Sequence, residues 1–554
     1  MCGFMRTHVR LEVVAYELMR RPFVVRSLTV VIAAAAIASS CGSNGPVADT
    51  SPDVTNSTTS SVASDTATVT SPTAATAVTT VVEPTTVPAP SSVPQPIVEP
   101  LTWTACPGSK KIKCARLQVP YDYEDPEAGS FSLAVRMRPA DKSPAVGPLF
   151  VNRGGPGAES ASMASEAEFY FSKQLLDRFD IVAFDPRGTG DTEPHVDCVD
   201  EIDPYFTADI TFDSPEERQS LIDDAQAFND LCAEKSGEIL PYISTVASAR
   251  DIDTLRRSLG YDTISYFGFS YGSELGATWA KFFPTTVRAA VFDGASDPNA
   301  SYLQAGLDQA AGFERELNSF FDDCASRTTC PAHNNGNPAA LFDEMMRRVE
   351  RDPLFVNDKR TLVTSTVAYT AVVDAMYSSA LWPTLAEAIA DATKKPIADG
   401  TGLLALYDDY YQRGPSGTYD NLLEAFIAIS CLDDNGDETV DDIEVQIPKF
   451  EAIAPRLGRF FAIGYNCALW PVKSKPKQQM TNIGSGPIVV VGTTGDAATP
   501  LESSRKMAAA LTDGRLIIAT EDQHTGYGTS DCVTNRVDSY LVDLEIPDKE
   551  STCT

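Results

Sequence analysis

The 554-residue sequence is poor in positive charge, in histidine and in metal-binding motifs. It has 44 Lys and Arg residues against 76 Asp and Glu residues, which gives a net charge of −32. A chain this acidic repels nucleic acid and anionic lipid, so these partners are excluded. With only four histidines and no CxxC pair, the sequence offers few ligands for zinc, and it carries no nucleotide-binding motif. We therefore expect neither a metal nor a cofactor.

The twelve cysteines indicate an oxidising compartment. Cys2 and Cys41 belong to the N-terminal region. The other ten follow one another in neighbouring pairs, namely Cys106, Cys114, Cys198, Cys232, Cys324, Cys330, Cys431, Cys467, Cys532 and Cys553. An even number in such a compartment predicts five disulfides. The simplest connectivity joins neighbours, and the sequence leaves other connectivities open.

Residues 1–40 are typical of a bacterial export leader. An arginine-rich start precedes an apolar stretch at 28–37, which is too short to span a membrane. Small residues then lead to Cys41 in a pattern that resembles a lipobox, so we expect lipidation of Cys41, attachment to the membrane through that lipid alone and an extracytoplasmic location. An ordinary signal peptide cut near Ser40 is the alternative, and the route could be Sec or twin-arginine. We expect Met19 to be the true start.

The composition of residues 41–100 predicts a disordered tether. From 42 to 100 the chain contains no aromatic residue and no Lys or Arg, and Ser, Thr, Pro, Val and Ala predominate. Such a segment cannot bury enough apolar surface to offset its chain entropy. It is either a stalk that crosses a cell-wall layer or a spacer without a specific role.

Beyond the tether, short apolar runs alternate with helical stretches, and each run leads into a glycine-rich or acidic loop. The runs lie at 149–151, 181–184, 264–267, 289–292, 487–491 and 516–519. Strands that alternate with helices predict a mostly parallel sheet covered on both faces. The fold class is therefore α/β, with a doubly wound sheet.

The nucleophile candidate is Ser270. It lies in the sequence GFSYG at 268–272, between an apolar run and a helix-prone stretch. A G-x-S-x-G turn forces the serine into a strained conformation that exposes its hydroxyl at the end of a strand. The alternative is a serine that only closes a turn.

A serine hydroxyl is a weak nucleophile and needs a base. The four histidines are His8, His195, His333 and His524. The first belongs to the leader, and the next two lie in loops that follow no suitable strand. His524 alone follows both Ser270 and a late strand, so it is the candidate general base.

The carboxylate that orients the histidine is assigned to Asp496, which follows a strand and precedes the histidine in chain order. Asp293 also follows a strand and is the rival; its alternative role is that of a turn-forming Asp-Gly. Just after Asp496, Thr499 and Glu502 form a capping-box pattern around Pro500, which predicts that a helix begins there.

An oxyanion hole needs two backbone N–H donors. We expect one from Tyr271, which follows the nucleophile. The other is assigned to Gly155, within the glycine-rich sequence at 154–157. A simple turn is the alternative for these glycines.

An ordered set of motifs carries a family resemblance: NRGGPG at 152–157, DPRGTG at 185–190, GFSYGS at 268–273, FP at 283–284, DG at 293–294 and GDAATP at 495–500. Together they resemble the proline iminopeptidase and tripeptidyl aminopeptidase branch of the α/β-hydrolases, above all its secreted or lipid-anchored actinobacterial members. The resemblance implies a serine exopeptidase with Ser270 as nucleophile, Asp496 as orienting acid and His524 as base. Where the family often has His-Gly-Gly, this chain has Arg153 before its glycines.

The long interval between Ser270 and Asp496 predicts an inserted helical cap. Helical spacing of apolar residues recurs at 303–328, 339–351, 366–396 and 402–412. We therefore expect core at 101–300 and 481–554 and a cap at 301–480.

In the family, acidic cap residues hold the substrate's ammonium group, and Asp433, just after Cys431, is the candidate here; its alternative is an ordinary surface acid. A calcium loop over 433–444 is rejected, because the ligand pattern fails at both ends.

Three functions follow in order of preference. The first is an aminopeptidase that releases short peptides or residues from the free N-termini of oligopeptides. The second is a carboxylesterase with the same triad, and the third is a non-catalytic envelope protein that kept the fold. The intact Ser, Asp and His disfavour the third.

Overall fold

The structure, a computed structural model, describes residues 98–357, 359–433, 438–474 and 478–554. The predicted leader, the predicted tether and Cys41 lie outside these residues. Among the helices in the described ranges, none combines the length and the apolar character that a membrane crossing requires.

One mixed sheet forms the centre of the described chain. Its strands are β1 (Thr104–Ala105), β2 (Lys113–Pro120), β3 (Ser130–Arg138), β4 (Gly147–Asn152), β5 (Phe179–Phe184), β6 (Ile264–Phe269), β7 (Val287–Asp293), β8 (Ile483–Thr493), β9 (Leu511–Ala519) and β10 (Glu550–Cys553). Their spatial order is β1-β2-β3-β5-β4-β6-β7-β8-β9-β10. Strands β1 to β3 pair antiparallel and β3 pairs antiparallel with β5, whereas the remaining pairs are parallel.

The central strands are apolar runs because both faces of the sheet are covered. All six residues of β4 are buried. Phe150 packs into the hydrophobic cluster on one face, and its neighbours Leu149 and Val151 pack into the cluster on the other. This alternation is the ordinary two-residue period of a strand. Each predicted apolar run lies within an observed strand, which is a few residues longer than the run.

The α-helices surround the sheet and fill the long interval between β7 and β8. They are α1 (Ala167–Tyr170), α2 (Lys173–Arg178), α3 (Asp203–Phe206), α4 (Pro215–Ser236), α5 (Thr245–Ser258), α6 (Tyr271–Phe282), α7 (Tyr302–Ser326), α8 (Pro338–Arg351), α9 (Ser365–Ala375), α10 (Trp382–Ala392), α11 (Thr401–Tyr410), α12 (Leu422–Asp433), α13 (Val440–Ile453), α14 (Gly458–Ala462), α15 (Tyr465–Ala468), α16 (Leu501–Ala510) and α17 (Asp531–Asp543). Helices α7 to α15 form the helical insertion.

The helical insertion has a hydrophobic core of its own. Phe320 of α7 and Leu385 of α10 are fully buried in it, and so is Ala497 from the loop after β8. Helix α12 is different, because its apolar residues pack into the cluster beneath the sheet. The helical stretch predicted at 366–396 is two helices, α9 and α10, separated by a turn at 376–381.

Disulfides join neighbours throughout the described chain, which confirms the simplest connectivity. The pairs are Cys106–Cys114, Cys198–Cys232, Cys324–Cys330, Cys431–Cys467 and Cys532–Cys553. The mostly parallel sheet, the helices on both faces and the strand-turn-helix at Ser270 confirm the predicted fold class. The fold is that of an α/β-hydrolase with a helical insertion after β7.

Candidate active site

Ser270 stands in the strained turn that its motif predicts, between β6 and α6. Its backbone has φ 55° and ψ −127°, a region that costs a non-glycine residue about 1–3 kcal/mol. The Ser270 N–H donates to the carbonyl oxygen of Asp293 at 2.8 Å, which helps to hold the turn. A Cβ on Gly268 would lie 2.2 Å from the carbonyl oxygen of Gly272, so the close approach of strand and helix requires glycine. Ser270 is left half-buried at the carboxyl end of the sheet.

Asp496 and His524 are hydrogen-bonded to each other. The Nδ1 of His524 lies 2.9 Å from each carboxylate oxygen of Asp496. Burial of His524 opposes its charged form, but the charge of Asp496 and this hydrogen bond outweigh burial, and the pKa of the imidazole is raised above its ordinary value. The Nε2 of His524 is buried and has no hydrogen-bond partner among the described residues. This nitrogen is therefore available to accept a proton, as a general base requires.

Thr499 completes the surroundings of Asp496. Its backbone N–H and its hydroxyl donate to the two carboxylate oxygens at 2.8 and 2.9 Å, and the hydroxyl lies 3.3 Å from Nδ1 of His524. The capping box expected of Thr499 is wrong: helix α16 begins at Leu501 with Pro500 as its N-cap and without a side-chain cap. The Thr499 hydroxyl donates to the Asp496 carboxylate instead, and a charged acceptor makes the stronger hydrogen bond.

The rival acid, Asp293, has a different set of partners. Its carboxylate accepts the backbone N–H groups of Gly526 and Tyr527, both at 2.8 Å, and the described residues show no hydrogen bond from it to the ring of His524. Burial raises the pKa of Asp293 to about 6, against the lowering effect of those two hydrogen bonds. Since its carbonyl also accepts the N–H of Ser270, Asp293 ties the nucleophile turn to the loop that carries His524.

The glycine-rich loop after β4 lies against the nucleophile turn. A Cβ on Gly154 would be 3.0 Å from Cβ of Ser270 and 3.2 Å from the backbone nitrogen of Tyr271. The N–H of Gly154 donates to Oδ1 of Asn152 at 3.0 Å. The next N–H, that of Gly155, has no partner among the described residues. The two predicted oxyanion donors, Gly155 and Tyr271, therefore belong to adjoining segments.

Arg153 does not bring an unpaired charge to this loop. Its Nη2 donates to Oε2 of Glu166 at 3.2 Å and to Oγ of Ser162 at 3.1 Å. Its guanidinium carbon lies 5.7 Å from the centre of the Tyr170 ring. The charge of Arg153 is thus balanced locally by that of Glu166.

Asp433 lies at the end of α12 and lines a cavity of about 180 Å³ that also touches Tyr271 and Thr499. Its Oδ2 accepts the backbone N–H of Thr245 at 3.0 Å and the Thr245 hydroxyl at 2.5 Å. That hydroxyl is also hydrogen-bonded to the Tyr271 hydroxyl. Burial, and next the charge of Asp433, raise the pKa of the Tyr271 hydroxyl well above its ordinary value. The cavity is therefore an acidic space directly beside the nucleophile turn.

Glu274 lines this cavity as well as Asp433, although it is not among the predicted site residues. It stands four positions after Ser270, in the first turn of α6. Residues four apart lie on the same side of a helix. That spacing was the signal in the sequence that could have identified it.

Comparison with known proteins shows the family of the chain. The family model described as "TAP-like protein" matches residues 454–553. The serine protease Hip1 of Mycobacterium tuberculosis is 33% identical over 487 residues, which are 82% of this chain and 91% of Hip1. The chain belongs to the TAP-like family of α/β-hydrolases.

Two further relatives of the TAP-like chain carry different names. Carboxylesterase B of Mycobacterium tuberculosis is 32% identical over 459 residues, covering 80% of this chain and 86% of the relative. A tripeptidyl aminopeptidase of Streptomyces lividans is 28% identical over 487 residues, covering 82% of this chain and 86% of the relative. The protein is accordingly a serine hydrolase, a peptidase or an esterase of the TAP-like family.

Proposed function

We propose that this serine hydrolase is an aminopeptidase, which releases short peptides or residues from the free N-termini of oligopeptides. The observation that carries the proposal is the acidic cavity at the nucleophile turn, to which Asp433 and Glu274 both contribute. A peptide's terminal ammonium group is favoured next to carboxylates in a partly buried space. Two relatives are named as peptidases, which supports a peptide substrate.

The reaction proceeds through an acyl-enzyme. The Oγ of Ser270 attacks the scissile carbonyl carbon while its proton passes to Nε2 of His524. The N–H groups of Gly155 and Tyr271 stabilise the oxyanion. His524 then gives the proton to the leaving amine, and the peptide bond breaks to leave an ester on Ser270. Water, deprotonated by His524, attacks this ester and releases the N-terminal product as a carboxylic acid.

Asp433 is the proposed anchor for the substrate's ammonium group. Its carboxylate is held in a fixed orientation by Thr245, and one of its faces lines the cavity next to Tyr271. An oriented carboxylate binds a cation without the entropy cost of arranging the side chain. The anchor therefore limits cleavage to substrates with a free N-terminus.

A carboxylesterase is the second candidate. The observation in its favour is that Thr245 already satisfies the Asp433 carboxylate with hydrogen bonds from its N–H and its hydroxyl. A carboxylate with these partners needs no ligand. A relative of similar identity is named carboxylesterase B.

Three substrates separate these functions: a tripeptide amide, its N-acetylated form and a short acyl ester. Loss of turnover on acetylation supports the aminopeptidase, and turnover of the ester alone supports the esterase. No turnover of any of the three would mean a non-catalytic protein. Ser270→Ala should abolish turnover and leave the thermal unfolding midpoint unchanged; retained activity contradicts the proposal.

The anchor is tested separately with Asp433→Asn. We expect KM for the free tripeptide amide to rise about ten-fold, with KM for the ester changed less than about two-fold. Asp391→Asn is the matched control, since it removes one charge from a surface carboxylate that pairs, among the described residues, with Lys394 at 2.5 Å. An equal rise of KM for both substrates would reject Asp433 as anchor.

We also propose that the protein is an extracytoplasmic lipoprotein anchored through Cys41. The lipobox-like sequence and the disulfides support this location. Expression in an actinobacterial host followed by mass spectrometry of the N-terminal peptide tests it. We expect a diacylglyceryl group on Cys41 and release of the Cys41→Ser variant into the medium; an unmodified Cys41 in a membrane fraction contradicts the proposal.

A further inference from the structure

The helical insertion contacts both loops that carry the Asp496–His524 pair. From α7, Arg315 Nη2 donates to the carbonyl oxygen of Asp496 at 3.0 Å, and Gln309 Nε2 donates to that of Ala498 at 3.1 Å. Between them, a Cβ on Gly312 would lie 2.2 Å from the carbonyl oxygen of Ala497. Helix α7 therefore packs directly against the loop that carries Asp496.

The turn at 376–381, which separates α9 from α10, holds the loop of the histidine. The N–H of His524 donates to the carbonyl oxygen of Tyr377 at 2.9 Å, and the N–H of Ser379 donates to that of Asp522 at 3.1 Å. Between these bonds, Ser378 and Gln523 form an antiparallel bridge. The main chain of the insertion thus pairs with the histidine loop as one strand pairs with another.

The Tyr377 side chain adds a contact to the imidazole itself. The two rings lie 5.5 Å apart at an interplanar angle of 81°, an edge-to-face arrangement. Tyr377 is fixed in turn by the ring of Phe313, also 5.5 Å away and edge-to-face, and by a hydrogen bond with Tyr410. Edge-to-face pairs at this separation are favourable and directional.

The imidazole needs such a contact because Asp496 bonds only one of its nitrogens. A hydrogen bond at Nδ1 fixes that atom but permits the ring to rock about it. A second contact with the ring, such as that of Tyr377, restricts where Nε2 points. Small errors in this direction matter, because proton transfer in the transition state depends steeply on alignment.

We propose that Tyr377 is a positioning residue for His524, so that the helical insertion orients the catalytic base. The proposal rests on the assigned role of His524 as base. Its ring fixes the plane of the imidazole, and its carbonyl oxygen fixes the backbone of the histidine. Because the ring acts on His524 and not on substrate, its removal lowers kcat and leaves KM almost unchanged.

The test compares Tyr377→Ala, Tyr377→Phe and Tyr369→Ala in the full chain. In Tyr377→Ala we expect kcat to fall about 10- to 100-fold for the peptide and the ester alike, with KM changed less than about two-fold. Tyr377→Phe keeps the ring and should retain kcat within about three-fold. Tyr369 is the matched control: it lies in α9 and packs against Phe460 at 6.0 Å, so Tyr369→Ala should lower stability but leave kcat within about three-fold.

The rate at which a fluorophosphonate phosphonylates Oγ of Ser270, with loss of fluoride, gives a readout that does not depend on peptide binding. We expect this rate to fall in Tyr377→Ala in parallel with kcat; Tyr377→Leu replaces it if the alanine variant does not fold. Unchanged kcat in folded Tyr377→Ala or Tyr377→Leu, or an equal fall in Tyr369→Ala, overturns the proposal. Activity retained in His524→Ala would instead reject the assigned base, so the two failures are distinguishable.

Discussion

The carboxylate of Asp293 accepts the backbone N–H of Gly526 at 2.8 Å, two residues beyond His524. The same aspartate accepts the N–H of Ser270 with its carbonyl oxygen. A residue at the end of β7 therefore connects the loop of the proposed base to the turn of the proposed nucleophile. The carboxylate that contacts the imidazole is that of Asp496, at the end of β8.

The two aspartates should differ sharply when each is changed to asparagine. In Asp496→Asn we expect kcat to fall about 10⁴-fold with the fold intact, because the imidazole loses the partner that fixes its tautomer. Asp293→Asn should lower kcat much less but destabilise the protein by about 1–3 kcal/mol, since one buried N–H loses its acceptor. Steady-state kinetics and urea unfolding measure the two effects. If Asp293→Asn abolishes turnover and Asp496→Asn does not, the assignment is reversed.

The pH profile should report the imidazole of His524. Although burial alone lowers the pKa of His524, the charge of Asp496 and the hydrogen bond to it raise the pKa above the ordinary value of about 6.5. Protonated imidazole cannot accept the serine proton, so kcat/KM falls as pH decreases through that raised pKa.

In Asp496→Asn the main cause of the raised pKa is gone and burial remains. The midpoint of the acid limb should therefore move to lower pH. Measuring kcat/KM of the ester between about pH 5 and about pH 9 for both proteins checks this. A midpoint that moves upward, or does not move, contradicts the assignment of the base.

Gly154 should tolerate no side chain. A Cβ there would lie 2.6 Å from the carbonyl oxygen of Phe269 and 3.0 Å from Cβ of Ser270, and its φ of 109° is strained for other residues. Gly154→Ala should displace the glycine-rich loop after β4, which carries the proposed oxyanion donor Gly155, and lower kcat about 100-fold. Gly260→Ala is the control, since Gly260 also has positive φ, 75°, but open space around it. It should cost about 1 kcal/mol of stability and leave kcat within about two-fold; an equal loss of kcat in both variants would show a general effect of strain.

Glu316 should make stability depend on pH. Its side chain is 3% exposed, and burial, followed by the charge of Asp522, raises its pKa to about 8. The folded state thus holds a proton that the unfolded chain releases near pH 4.5, so stability decreases as pH rises between those values. Glu316→Gln removes this decrease, so its stability advantage over the parent should be larger at pH 8 than at pH 5 by roughly 3 kcal/mol.

Urea unfolding of Glu316→Gln and of its parent at about pH 5 and about pH 8 measures that difference. Glu387→Gln, a change on the exposed side of α10, is the control and should show no such dependence. A difference between Glu316→Gln and its parent that does not grow toward pH 8 would mean that Glu316 is ionised in the folded protein.

The parallel strands were predictable because each is a short apolar run whose period and length are local properties. The strained serine turn was also predictable from a local pattern, because the sequence has a glycine two positions before Ser270 and another two positions after it. The break between α9 and α10 was not, because apolar spacing continues across 366–396 and the turn is stabilised by the histidine loop. The sequence pattern predicted that Thr499 caps the helix that follows it. In the structure its hydroxyl donates to the Asp496 carboxylate, which lies three residues before it in the chain.

By itself, the sequence determined the α/β class and the strand-turn-helix at Ser270, and it predicted Asp496 and His524 by chain order. It favoured the pairing of neighbouring cysteines but left other connectivities open. All of these depend on residues close together in the chain or on the order of elements. Only the tertiary structure decided that Asp293 binds the histidine loop, that Asp433 lines the cavity beside Tyr271 and that Tyr377 packs against His524. Those contacts join residues separated by long stretches of chain. Their geometry is set by how the strands pack side by side for Asp293, and by how the helical insertion packs on the sheet for Asp433 and Tyr377; no local pattern encodes it.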